Sequence, residues 1–145
     1  MERFNFNLQK VLDFRITIED KKKNEFVAAQ KNLYREQKIL EDSISKKNKV
    51  IKDAENFRTN FEFQSYVQFI DAVNKKIENQ KKRVMICEKE LEDKKQELLK
   101  AISDRKILEK LKERALQEFN LEQSKKEQRF NDDFALYAYV NRERR

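Results

Sequence analysis

The sequence predicts an all-α chain, two long helices folded back as an antiparallel coiled-coil hairpin, with the second helix longer and overhanging. Three observations carry that prediction. There is no Gly and no Pro in 145 residues, which removes the residues that punctuate most multi-element domains. Apolar side chains recur every seven residues, the period that keeps one stripe turned toward a partner helix. Charged residues of both signs make up 42% of the chain, as wide solvated faces beside one narrow apolar seam require. A mean hydropathy of -1.03 is also a property of disordered chains. The 11 Phe, 4 Tyr and the ordered Leu/Ile/Val spacing oppose that reading.

The whole chain, 1–145, reads as one coiled-coil hairpin. Helix 1 is expected over about 5–57, the turn over about 58–65 and helix 2 over about 66–141. In helix 1, Phe26, Leu33 and Leu40 are seven apart, and Ile44 and Ile51 resume after a four-residue step. That step predicts a stutter, with Lys47 where the old register would want an apolar side chain. In helix 2 the seam is Ile70, Ile77, Val84, Leu91 and Leu98, interleaved with Val73, Gln80, Cys87, Lys94 and Ala101. Further on it turns patchy, through Arg105, Leu108, Lys112, Ala115 and Phe119. Pairs at i,i+4 (Glu19–Lys23, Asp42–Lys46, Glu78–Lys82, Glu90–Lys94) add about 0.2–0.5 kcal/mol each to their helices.

The seam breaks between Phe57 and Ser65. Ser65-Tyr66-Val67-Gln68 fits a capping box, and Thr59-Asn60-Phe61-Glu62 fits one too, so an earlier helix start is also open. A continuous helix in a parallel homodimer is the alternative architecture. The hairpin is favoured because an exposed seam needs a partner and the other half is already tethered. A turn centred at 62–65 would set Leu40 opposite Cys87, Phe26 opposite Ala101 and Leu8 opposite Phe119.

Composition also bounds the chemistry. With no His, His-based triads and His metal sites are excluded, and without Gly the usual phosphate-binding loops are too. Cys87 stands alone, so no internal disulfide forms and no thiolate metal site closes. The reading is non-enzymatic, with no cofactor and no metal. No secretory signal is seen at Met1–Val11 and no stretch approaches a membrane span, so a reducing cytoplasm is expected. A net charge of +7 invites nucleic acid, through Lys21-Lys22-Lys23, Lys81-Lys82-Arg83 and Arg142–Arg145. Acidic residues lie among these runs, so a solvated coiled-coil face explains them better. Membrane-surface binding is disfavoured because the basic runs lack a wide apolar face.

Aromatics gather in three groups: Phe4 to Tyr34, Phe57 to Phe69, and Phe119 to Tyr139. Exposed aromatic clusters mark partner surfaces, whereas the plainer reading has them plugging the turn and the splayed ends. Phe130, Phe134 and Tyr137 share one helical face that, in a hairpin, overhangs.

Three stretches, Ser65–Gln80, Lys106–Arg114 and Glu122–Ala135, taken in order, resemble the FliJ family of the flagellar export apparatus. Asp132-Asp133 stands where relatives often carry Asp-Glu, and the first arm is similar only in pattern. The resemblance implies a non-catalytic hairpin, similar to the central stalk of rotary ATPases. Such a stalk would link the hexameric export ATPase, FliI, to the transmembrane export gate, FlhA, and take part in handling export chaperones. It also implies a cytoplasmic protein, peripheral at the inner membrane when assembled, with no direct membrane insertion and no nucleic acid. On that basis Phe4, Leu8, Arg129, Asp133 and Phe134 are the expected ATPase contacts, and Tyr66, Phe69 and Val73 the expected gate contacts. The competing readings are a stalk or scaffold of another system (virulence secretion or a rotary ATPase) or a basic nucleic-acid-binding coiled coil.

Overall fold

The computed structural model describes residues 2–54 and 57–144. Two helices, α1 (Gln9–Asp53) and α2 (Asn60–Glu143), make up the fold, and the described residues contain no strand. The chain divides into two compact units: one of Met1–Ile18 with Ala101–Arg145, the other of Glu19–Lys100. In each, a piece of α1 runs antiparallel to a piece of α2.

In the 19–100 unit, burial follows the predicted α2 register closely. Ile77, Gln80 and Val84 are buried, and Ile70, Val73, Cys87, Leu91, Lys94 and Leu98 are half-buried. From α1, Ala29 is buried, and Lys22, Phe26, Leu33, Glu36, Leu40, Lys47 and Val50 are half-buried. The seven-residue register therefore runs on through Lys47 and Val50. Of the two residues expected on the seam after a stutter, Ile44 is half-buried and Ile51 is 44% exposed. Lys47 keeps the register because its long aliphatic stem can lie along the seam while the ammonium stays wet.

The turn also differs from expectation. α2 begins at Asn60, earlier than the expected 66, and of the two candidate caps the one at Thr59 is used. Thr59 Oγ1 accepts the Glu62 N–H at 3.2 Å, and the Glu62 carboxylate accepts the Arg58 N–H at 2.9 Å. The Thr59 hydroxyl satisfies an amide that the first helical turn leaves without a partner, and Glu62 reaches one residue further back than the Thr59 N–H of a full capping box. α1 stops at Asp53, with the Ala54 N–H donating to the Ile51 carbonyl at 3.4 Å. Positions 55 and 56, within the expected helix 1, lie outside the described residues. No described residue has a positive φ, so the described part of the turn needs no glycine.

An earlier turn shifts every opposing pair by twice the displacement. Gln80 meets Glu36, Lys94 meets Glu25 and Glu97 meets Lys22. Leu40 is thus level with residues well before Cys87, and Phe26 stands near the level of Lys94 and not of Ala101.

In the other unit, Leu12, Ala101 and Leu108 form the buried core. Arg15 donates to Asp104 at 3.2 Å. Residues 2–8 precede α1, which starts four residues later than expected. Phe4 packs on Phe119 with ring centroids 5.6 Å apart, in the place expected for Leu8. Glu2 accepts from Gln123 at 2.8 Å and from Lys126 at 3.3 Å. These contacts tie the segment to α2 in a non-helical path.

Candidate functional site

A coiled-coil seam leaves few side chains for other molecules, so the informative surfaces are those where it ends. In the first unit, the α2 face bearing Lys112, Ala115, Phe119 and Gln123 is half-buried against residues 2–18. Helical spacing carries that face onward through Phe130, Phe134, Tyr137 and Asn141. All four are exposed, Phe130 to 71%. Every described residue from Ser124 onward is exposed. Residues 134–140 read Phe-Ala-Leu-Tyr-Ala-Tyr-Val, apolar around the whole perimeter, and a helix of that kind is ordinarily enclosed.

The last covered position is marked by charge. Hydrogen bonds from Gln123 and then Lys126 hold the Glu2 carboxyl below the usual carboxylate range. Beside this, Arg3, Phe4, Asn5, Ala115, Glu118 and Phe119 line a shallow groove. Of the expected ATPase contacts, Leu8, Arg129, Asp133 and Phe134 are exposed, while Phe4 is half-buried on Phe119. Arg129, Asp133 and Phe134 share a broad side of α2 past the last contact with residues 2–8.

The second surface lies where α1 gives way to α2. Phe57 packs on Tyr66 at 5.0 Å and edge-on to Phe63 at 5.5 Å. Of the expected gate contacts, Tyr66 belongs to this cluster, Phe69 is exposed and Val73 is half-buried on the seam. Val73 is therefore shared between the seam and any partner, and Phe69 is the freer of the two. Phe61 and Phe63, exposed and outside that set, extend the patch. Of the two, Phe63 meets Phe57; the sequence gathers these aromatics between Phe57 and Phe69, but which rings meet depends on the position of the turn.

The model of the flagellar FliJ protein family matches residues 4–144. The chain belongs to the FliJ family. Its match takes in both helices, including the first arm, where the resemblance was one of pattern alone. Searches of curated proteins and of solved structures find no significant match. As a FliJ-family member the chain is a flagellar, export-related coiled-coil protein. No described helix is long and apolar enough to cross a membrane. Among the described residues there is no group of three or more Cys, Asp or Glu that could hold a metal ion.

Proposed function

We propose that this FliJ-family chain is a non-catalytic stalk or adaptor of flagellar protein export. It links the hexameric export ATPase to the transmembrane export gate and assists export chaperones. The observation that carries this reading is the α2 seam face, which loses its cover after Gln123 and goes on as exposed Phe130, Phe134 and Tyr137. Burying such side chains in a partner is favourable by about 1.5–3 kcal/mol each, and clustered aromatics dominate interface energetics. In this account the ATPase binds through Phe134, Arg129 and Asp133, and through Phe4 and Leu8. The gate binds through Phe69, Tyr66 and Val73. The working location is the cytoplasmic face of the inner membrane.

A pull-down against the purified export ATPase tests the first contact: Phe134→Ala with Arg129→Ala should lose binding, and normal binding would refute it. For the gate, Phe69→Ala should weaken capture of its cytoplasmic domain, and unchanged capture would remove that assignment.

A further inference from the structure

The end of the 19–100 unit carries a second feature that stalk function does not absorb. Phe61 is 77% exposed, and Phe63 is half exposed beside it. Both stand in the first turn of α2, where Phe63 packs edge-on to Phe57 and Phe57 also packs on Tyr66. Lys52, in the last turn of α1, Lys49 one turn earlier and Arg58 in the connection are all exposed. Of the acidic groups nearby, the Glu62 carboxylate is taken up by the Arg58 N–H. Asp53 is exposed, and Glu55 is acidic in the sequence. Over 46–62 there remain five basic against three acidic residues.

We propose that this end of the hairpin docks on an anionic lipid bilayer surface, seating Phe61 and Phe63 among the headgroups with Lys49, Lys52 and Arg58 against lipid phosphates. Three physical points favour this occupant. Phe61 stands outward and Phe63 keeps half its surface exposed beside Phe57, and protruding rings suit a deformable surface better than a fixed pocket. Interfacial binding combines a small buried apolar area with attraction of basic side chains to anionic lipid; the basic runs at 21–23 and 81–83 have no exposed aromatic side chain next to them, whereas this end carries both. Long basic side chains can keep their stems on apolar surface while their charged ends reach the phosphates. The docking is peripheral, with the helices staying outside the hydrocarbon.

The test is co-sedimentation of the full chain with vesicles of phosphatidylglycerol and phosphatidylcholine, against vesicles of phosphatidylcholine alone. The wild type should sediment with the anionic vesicles and be released by salt. Phe61→Ser with Phe63→Ser should lower vesicle binding by roughly tenfold or more. Lys49→Glu, Lys52→Glu and Arg58→Glu should each lower it by roughly fivefold. All these side chains are exposed, and unchanged circular dichroism melting establishes that the variants fold. A Phe61→Trp chain should show blue-shifted emission on anionic vesicles and quenching by brominated lipid. Equal binding to both vesicle types, a tryptophan that stays in water, or loss of binding only in Phe134→Ser with Tyr137→Ser would overturn the proposal. Capture of an acidic protein by this end without vesicle binding would overturn it too. Neither export-ATPase nor gate binding enters these readouts.

Discussion

The Gln80 side-chain amide donates to the backbone carbonyl of Glu36 at 3.0 Å, and to the Glu36 carboxylate as well. Gln80 is only 7% exposed, a polar residue at a seam position. A buried amide of this kind stabilises one register because any slip leaves it without a partner. Gln80→Ala should lower stability by about 1–3 kcal/mol, read as the thermal midpoint by circular dichroism. Gln80→Leu should retain most of the midpoint, since an apolar side chain of similar volume suits the seam, while loosening the register. Cross-linking of cysteines introduced on α1 and α2 would then yield more than one pairing.

Lys22, Glu25, Lys94 and Glu97 form a four-residue network across the same unit, with contacts of 3.2–3.4 Å. The hydrogen bond from Lys22 holds the Glu97 carboxyl below its usual range. For Glu25, desolvation pushes upward but the bonds from Lys94 and Lys22 outweigh it, and the value falls. Bonding to Glu97 raises Lys22, and bonding to Glu25 raises Lys94. The depressed carboxylates contribute stability that is present above the ordinary Glu range and lost as pH falls through their folded values. The raised lysines contribute stability that is present below the ordinary Lys value and lost as pH rises through their folded values. The wild-type midpoint should therefore fall in acid and in strong base. A Glu25→Gln, Glu97→Gln chain should show a weaker acid limb. Because these side chains are partly solvated, salt should shrink the difference.

Continuity of the α1 register makes a sharp contrast between neighbours. Val50→Ala should cost more than Ile51→Ala, and Ile51→Ala should stay within about 0.5 kcal/mol of wild type. Ile77→Ala, in the buried seam opposite, should cost about 2–5 kcal/mol. Urea unfolding with a common slope checks all three. Equal costs at Val50 and Ile51 would restore the stutter.

The start of α2 rests on Thr59. Thr59→Ala should destabilise by about 0.5–2 kcal/mol, whereas Ser65→Ala, inside the helix, should change little. Amide exchange at 60–64 should rise in the first variant and stay unchanged in the second.

How much of this was legible in the sequence follows from where the charges sit. The α2 seam could be read position by position because Ile70, Ile77, Val84, Leu91 and Leu98 keep strict spacing, and burial follows them. The α1 seam was harder, since Glu19, Lys22, Glu36 and Lys47 occupy seam positions and look like surface until the facing helix is known. Glu19 is only 5% exposed and lies 3.8 Å from Lys23. Lys94 was expected to pair along its own helix with Glu90, and it reaches across to Glu25 at 3.3 Å. Such cross-helix partners depend on the register, and the register depends on which of two candidate caps is used. The overhanging aromatic face needed only the helical period and the greater length of α2, so it was visible from the start.

The central claim is that the α2 face beyond Gln123 is uncovered in the free chain and is where the export ATPase binds. Hydrogen exchange by mass spectrometry, with and without the purified ATPase, tests it most directly. The account predicts fast exchange over 127–143 in the free chain, slower exchange over 101–123, and new protection on binding at 127–143 and at the residues around Phe4. Protection confined to 57–73, with 127–143 unchanged, would contradict it.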